Sequence, residues 1–367
     1  MQNKNKVLFF IASLAGGGAE RVLATLANAF AHQGKQVSIV TYSPMESAYD
    51  LSPDIQRLIV LDEKAPKTTR SILSKIHWRW WKFRKIRTIT KTVSPDVVIS
   101  FVTPTNNDVL FSLLGLRIPV VVCEHTNVLR SYSKKTTFYR KLMYPFANVI
   151  TVLTRHDYRL WHKKYHQTIY MPNPTSTTMN ADIRPMSERE KIVLAVGTVI
   201  SWKIKGFDNL LRAWGQLCHT YPEWKLCIAG IGDVPSMSYL QKIIDENKCI
   251  NVNFLGFRSD IHDLMNSSSI FCLSSRVEGL PMVLIEAMCC GCCCVAYDCI
   301  TGPREIIKKN CGLLVEDQNI EDLVEKLSVA MSDDRLRSHY SENACTSINS
   351  FSLEHVLNRW NILFSKI

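Results

Sequence analysis

The sequence predicts an α/β protein made of two doubly wound domains. Two observations predict it. Short continuous apolar runs alternate with stretches of helical period along nearly the whole chain. The alternation breaks once, at the turn-rich segment Met171-Pro-Asn-Pro-Thr-Ser-Thr-Thr. At roughly 100–200 residues per domain, the 367 residues accommodate two domains, each with its own core.

Lys6–Ser13 is apolar without alternation, as in a parallel strand covered on both faces. Glu20–His32 repeats Val22, Leu23, Leu26, Ala27 and Phe30 at helical spacing, and Gly34 ends that helix. Val37–Tyr42 is the second strand, completing a βαβ unit. Further strands are expected at Asp96–Phe101, Val120–Glu124, Val149–Thr154 and Ile169–Met171. Residues 179–190 are polar and poor in aromatics, so the boundary falls at 174–190, giving domains 1–178 and 188–348.

The second run begins with a strand at Ile192–Val196 and a helix at Phe207–His219 that Asp208 helps to cap. Strands follow at Lys225–Ala229, Val252–Leu255, Ile270–Leu273 and Cys294–Tyr297. Helices are expected at Ser238–Asn247, Ile261–Ser267, Pro281–Cys290, Pro303–Ile307 and Ile320–Ser332. The tail, 349–367, has helical spacing at Val356, Leu357, Trp360 and Leu363 and is expected to pack back across the domains.

Composition narrows the class. Hydrophobic residues at 46% and charged residues at 21% are ordinary for a soluble globular chain. The apolar run at residues 7–12 is too short for a secretory or membrane-spanning segment, so the expected location is cytoplasmic. Five of the 13 cysteines crowd into Cys289-Cys290-Gly291-Cys292-Cys293-Cys294, too close for mutual disulfides without strain, and no Cys-x-x-Cys is joined by a second pair or a His pair at zinc spacing. They read as small buried hydrophobes. The net charge of +11 favours an anionic partner.

Three loops carry candidate chemistry. Gly16-Gly17-Gly18, between the first strand and helix, reads either as a tight turn or as an anion site with free helix-terminal N–H groups. It lacks the dinucleotide spacing, and no acidic residue ends the second strand to hold a ribose, which argues against NAD. Lys203 and Lys205 precede a helix in Gly197-Thr-Val-Ile-Ser-Trp-Lys-Ile-Lys-Gly. They are solvated cations or diphosphate ligands. Glu278 follows an apolar strand in Ser275-Arg-Val-Glu-Gly-Leu-Pro-Met-Val-Leu-Ile-Glu, Pro281 suits a first helical turn, and Glu286 lies further along that helix. Carboxylates there suit paired hydroxyls of a sugar or ribose; they also read as a surface Glu and a first-turn Glu favoured by the helix dipole.

Glu278 and Glu286 enclose seven residues, and with Ile228-Ala-Gly-Ile-Gly-Asp, Val252-Asn-Phe-Leu-Gly-Phe, Thr301-Gly-Pro-Arg-Glu-Ile-Ile and Cys311-Gly-Leu-Leu-Val the pattern becomes specific. The chain resembles retaining glycosyltransferases of family 4, which have the GT-B fold of two Rossmann-like domains facing a central cleft. The resemblance is to bacterial surface-polysaccharide and lipopolysaccharide enzymes, and it covers nearly the whole chain. It implies that Glu286 holds the donor ribose and that Glu278 contacts the donor sugar. Gly279, Leu280, Pro281, Met282 and Val283 would line the sugar and diphosphate site. Lys205 would pair with the diphosphate, and Gly17 and Gly18 would approach from the other domain. Leu255, Gly256 and Phe257 would lie by the base. His125, in Cys123-Glu-His-Thr-Asn, resembles the first-domain histidine facing the transferred sugar; it also reads as an ordinary loop histidine. Similar enzymes often carry Arg directly after Gly197, where this chain has Thr198, and Lys203 is the nearby cation that could compensate.

The resemblance implies hexosyl transfer (Gal, Glc, GlcNAc or GalNAc type) with retention from a nucleoside-diphosphate sugar, UDP being the commonest base. The acceptor expected is a lipid-linked saccharide in surface-polysaccharide synthesis. Catalytic roles fall to Glu278, His125 and Lys205. No metal is expected, since no Asp-x-Asp occurs, and the nucleotide sugar is a substrate rather than a cofactor. A sugar-nucleotide epimerase of the same architecture, or a non-catalytic binding protein that kept the fold, are the other readings.

One segment stands outside this frame. Lys64, Lys67, Arg70, Lys75, Arg79, Lys82, Arg84, Lys85, Arg87 and Lys91 run without an acidic residue, interleaved with Trp78, Trp80, Trp81 and Phe83. Ile72, Ile76, Trp80, Phe83 and Ile86 fall on one helical face. Such a helix suits an anionic membrane surface, with Arg79, Trp80, Trp81, Lys82, Arg84 and Lys85 as contacts. A solvated helix with core aromatics is the plainer reading, and no signature for nucleic acid accompanies the run.

Overall fold

A computed structural model describes residues 5–62, 65, 66, 71–127, 132–175 and 183–367, without the side chains of 345 and 346. Lys64, Lys67, Arg70 and residues 176–182 of the expected domain boundary lie outside the described residues. The chain divides into two compact units, residues 1–174 with 353–367, and residues 175–352.

The first unit runs β1 (Lys6–Ile11), α1 (Gly18–His32), β2 (Gln36–Thr41), β3 (Gln56–Ile59), α2 (Ile72–Val93), β4 (Val97–Phe101), α3 (Thr103–Leu113), β5 (Val120–Cys123), α4 (Lys134–Met143), β6 (Val149–Val152), α5 (Arg155–His162) and β7 (Thr168–Tyr170). Its seven strands are ordered β3-β2-β1-β4-β5-β6-β7. All pairs are parallel; Phe9 sits in register with Ile39 on one side and Ile99 on the other. The unbroken apolar run of β1 now has its reason. Val7, Phe9 and Ile11 enter the cluster that holds α1, while Leu8 and Phe10 enter the opposite one. A parallel sheet buried on both faces asks for apolar residues at every position.

The second unit runs β8 (Glu190–Val196), α6 (Trp202–Lys205), α7 (Phe207–Leu217), β9 (Lys225–Ala229), α8 (Val234–Glu246), β10 (Val252–Gly256), α9 (Ile261–Ser267), β11 (Ser268–Leu273), α10 (Met282–Cys289), β12 (Cys293–Tyr297), α11 (Pro303–Ile306), β13 (Leu313–Val315), α12 (Ile320–Ser332) and α13 (Asp334–Ser347). Its strand order is β10-β9-β8-β11-β12-β13, again all parallel. In both sheets the order reverses once, between β1 and β4 and between β8 and β11. Ligands of open α/β sheets bind outside the carboxyl ends of the strands at such reversals.

The last helix, α14 (Leu353–Phe364), returns to the first unit. Its Trp360 and Phe364 rings lie 6.3 and 5.4 Å from Phe30 of α1. Elements that sequence patterning passes over are β3, β13, α3, α4, α5, α6 and α13. The reason is plain in α3: Thr103, Thr105, Asn106 and Asn107 are buried there, so no apolar stripe marks it. Pro281 is the cap residue ahead of α10, which begins at Met282, rather than part of its first turn. Gly206, not Asp208, occupies the cap of α7.

Twelve cysteines among the described residues are free, all buried except the partly exposed Cys249. Burial pushes the Cys272 thiol up to about 12. Among the described residues no helix is long and apolar enough to cross a membrane.

Candidate functional site

The second reversal point is built from two loops, one after β8 and one after β11. Lys205 is the last residue of the short helix α6. Its stem runs over Gly197, where an added Cβ would lie 3.2 Å from it. Gly206 then takes a left-handed conformation, φ +66°, and any Cβ there would fall 1.8 Å from the Ser274 carbonyl oxygen. The Ser274 hydroxyl donates to the Lys205 carbonyl at 2.8 Å. These contacts press the two loops together, and the Lys205 ammonium meets a Glu278 carboxylate oxygen at 2.8 Å.

Arg276 clasps the same two loops. Its guanidinium donates to both carboxylate oxygens of Asp208, at 2.7 and 2.8 Å, and to Asn209 Oδ1 at 2.9 Å. It also donates to the Lys203 carbonyl at 2.7 Å, and its backbone N–H to the Ile204 carbonyl at 2.8 Å. Burial alone would raise the Asp208 carboxyl, but hydrogen bonds and charge from Arg276 outweigh it and hold the group below its ordinary value. Asp208 is thus an ion-pair partner, not the helix cap expected from the sequence.

Thr301 and Gly302 brace the other side. The Thr301 hydroxyl donates to the Glu278 carbonyl at 2.6 Å, and a Cβ on Gly302 would meet the Gly279 carbonyl oxygen at 2.6 Å. Beyond this turn α10 begins, with the Leu284 N–H bonded back to the Pro281 carbonyl. The amides of Met282 and Val283 lie ahead of that bond, at the positive end of the helix. Leu280 and Pro281 are buried beneath, and Glu286 is 3% exposed. Gly230 packs under Gly197 so closely that a Cβ would come within 1.9 Å of its carbonyl oxygen, and the Gly230 N–H ties to the Gly256 carbonyl at 2.8 Å. That links the Leu255–Phe257 segment to the same strand ends. Gly256 is exposed, and the Phe257 ring is 74% exposed.

In the first unit the Gly16–Gly18 turn is more occupied than expected. The Gly16 N–H donates to Glu20 at 2.6 Å and the Gly17 N–H to the Tyr49 hydroxyl at 2.7 Å. Only Gly18 faces open space at its Cβ position. Of the two readings of this turn, the one with amides free for an anion is narrowed: Glu20 and Tyr49 already use those of Gly16 and Gly17. His125 follows β5 and stacks on Phe101 at 4.4 Å between ring centres. Burial pushes its pKa down from 6.5 to about 3, so the imidazole is neutral, and its Nδ1 has no hydrogen-bond partner. Beside it Glu124 is buried and accepts from the Thr103 hydroxyl at 2.8 Å and from the Tyr144 hydroxyl. Burial raises its carboxyl above the ordinary value despite those bonds. Val102, which begins the turn into α3, has φ +72°, an unusual conformation for a β-branched residue at the end of a central strand.

Two sequence families match these two units. Residues 16–176 match Glycosyltransferase Family 4, and residues 179–346 match the group 1 glycosyl transferases. A Campylobacter jejuni protein named GalNAc-α-(1→4)-GalNAc-α-(1→3)-diNAcBac-PP-undecaprenol α-1,4-N-acetyl-D-galactosaminyltransferase is 30% identical over 99% of both chains. The chain is a family 4 glycosyltransferase. The amylovoran biosynthesis glycosyltransferase AmsD of Erwinia amylovora is 26% identical to this transferase, over 97% of this chain and 98% of its own. Among solved structures, Anabaena HepE in complex with UDP superposes with a TM-score of 0.80 at 17% identity, over 99% of this chain and all of that one, a likeness of fold. The architecture is GT-B, with two Rossmann-like units.

The transferase departs from the expected cation pair. Thr198 is exposed and its hydroxyl donates to the Ile231 carbonyl at 3.2 Å. Lys203 is exposed, with its carbonyl engaged by Arg276. Sequence reasoning passed over Arg276, Asp208, Thr301 and Glu124 as site components. All four stand inside or beside quoted motifs, but their partners are distant in sequence.

The basic helix α2 also needs correction. Lys82 is buried and pairs with Asp108 at 2.5 Å, surrounded by the rings of Tyr42, Trp78 and Phe83. Lys85 pairs with Asp62 at 2.7 Å. Both pairs hold the helix to its unit; Lys82 is turned away from the surface, while Lys85 stays partly exposed. The expected apolar face is also split: Ile86 is buried, while Ile72, Ile76 and Trp80 are 75%, 49% and 58% exposed. Arg79 stacks over Tyr139 of α4, Trp81 is partly buried and Arg84 is exposed.

Proposed function

We propose that this transferase moves a hexosyl group, with retention, from a UDP-linked or similar nucleoside-diphosphate sugar to a lipid-linked saccharide in surface-polysaccharide synthesis. The observation that carries the reading is the Lys205–Glu278 pair at the β8/β11 reversal, set against the N-terminus of α10. A cation and helix amides suit a diphosphate leaving group, and a carboxylate suits sugar hydroxyls. Lys205 and the amides of Met282 and Val283 would stabilise charge developing on the diphosphate as the glycosidic bond breaks. Glu286 would hold the ribose, and Leu255, Gly256 and Phe257 would lie by the base. Lys203 would add positive charge at the rim. The neutral His125 would donate or accept a hydrogen bond to the transferred sugar rather than act as a strong acid. Gly17 and Gly18 would approach the donor through backbone. No side-chain nucleophile is required, since the leaving phosphate can take the acceptor's proton.

The name of the Campylobacter relative includes a diphospho-undecaprenol acceptor, and it supports a lipid-linked acceptor here. The exposed part of α2 fits the location such an acceptor has. Ile72, Leu73, Ile76 and Trp80 are exposed beside Lys75 and Arg84, as on a helix lying against an anionic bilayer. Each basic residue close to such a surface adds about 1 kcal/mol. The enzyme would then be peripheral on the cytoplasmic membrane.

The decisive test is a thermal-shift screen of nucleotide sugars. A true donor at 100 times its Kd stabilises the protein by about 2.7 kcal/mol through mass action. If no nucleotide or nucleotide sugar moves the melting temperature at millimolar concentration, the donor-site assignment fails. An assay with and without saccharide acceptor separates transfer from epimerisation.

A further inference from the structure

We infer that Glu278 also serves as the resident counter-ion of Lys205, competing with the diphosphate so that nucleotide without sugar binds weakly. The inference rests on the donor-site reading above and adds a specificity role to it.

Three features lead there. The ion pair is short, 2.8 Å, and both side chains are largely buried, 23% and 12% exposed, so solvent and salt screen it little. Both partners are held by the fold. Lys205 is laid over Gly197 and tied through Ser274, while Glu278 is anchored through its carbonyl by Thr301. The Arg276 clasp joins the loops that carry them. Finally, the position after Gly197 holds an uncharged Thr198, so no second cation stands there to share the anion.

The consequence follows from charge and hydrogen-bond inventory. A diphosphate must draw Lys205 away from Glu278, which leaves a carboxylate beside an anion. A bare nucleoside diphosphate offers that carboxylate no donor from a sugar. A nucleotide sugar offers hydroxyls, which satisfy Glu278 while the diphosphate takes Lys205. The site therefore favours the intact donor over the spent nucleotide and helps to expel the latter once the sugar has left.

The test is calorimetric binding of UDP and of inorganic pyrophosphate to the full-length protein and three variants. Glu278→Gln should bind both probes about tenfold more tightly than wild type, equivalent to about 1.4 kcal/mol. Lys205→Gln should bind both more weakly, and adding Glu278→Gln to it should give a clearly smaller gain than in wild type, since only the direct repulsion between carboxylate and anion is then relieved. Glu278→Ser, which also removes the charge, substitutes if the glutamine variant does not fold. Unchanged or weaker binding by the Glu278 variants, with Lys205→Gln still weakened, overturns the counter-ion role alone. Pyrophosphate binding that ignores both residues overturns the donor-site reading together with it.

Discussion

Arg276 shows how much a candidate site can depend on one side chain outside the Lys205–Glu278 pair. Its guanidinium reaches both oxygens of Asp208, the Asn209 side chain and the Lys203 carbonyl. Lysine keeps the charge but has no planar fork. Arg276→Lys should therefore lower stability by about 1.5–3 kcal/mol, read from urea unfolding, because hydrogen bonds to a charged group are lost. The donor KM should rise several-fold as the loop carrying Lys205 loosens, and an unchanged KM would argue against a positioning role. His125 yields a pH prediction. Its folded pKa is lowered to about 3, so between about 6.5 and 3 the unfolded chain takes up a proton that the folded chain refuses. Its contribution is intact above about 6.5 and is lost as pH falls through that window. His125→Asn should be less acid-sensitive than wild type when denaturant midpoints at pH 7 and pH 5 are compared. Glu278 and Lys205 were legible as sequence, because the motif around each is local. Arg276 was not, because its meaning lies in Asp208, 68 residues earlier.

Among the elements, α2 separates two roles that its composition merges. Sequence alone shows a run of cations and tryptophans. The fold turns Lys82 inward to Asp108, engages the partly exposed Lys85 with Asp62, and leaves Trp80 and Arg84 outward. Lys82→Ala should lower the melting temperature, since it removes the ion-pair partner of the partly buried Asp108 and leaves it only the Tyr42 hydroxyl, and leave binding to anionic vesicles nearly unchanged. Arg84→Glu should do the reverse, weakening sedimentation with phosphatidylglycerol vesicles at low salt. Equal effects of the two variants on vesicle binding would remove the distinction. Helix α3 makes the complementary point. Its buried Thr103, Asn106 and Asn107 hide it from any search for an apolar stripe, yet Thr103 and Asn106 surround Glu124 next to His125. Polar residues at the carboxyl end of a central strand are read correctly only once their partners are known.

For the whole molecule, the terminal helix is the clearest case of long-range dependence. Val356, Trp360, Leu363 and Phe364 are buried in the cluster that contains Phe9 and Phe30, so the last residues of the chain complete the core of the first unit. Burying each such side chain contributes about 1.5–3 kcal/mol. A chain ending at Ser352 should expose Phe30, bind a hydrophobic dye and unfold at lower denaturant. A truncated protein with wild-type stability would show that these contacts are not required. The alternation of apolar runs and helical periods determined the α/β class, the two doubly wound halves and the positions of most strands, because a strand buried on both faces must be apolar along its length. The motif from Ser275 to Glu286 also marked the candidate site, since cap, turn and carboxylates lie within one short segment. Only the tertiary structure decided which cations are spent on the fold, which glycine amides are already taken, and what holds Lys205 against Glu278. Those depend on groups brought together from distant parts of the chain, and a side chain's charge does not reveal its partner.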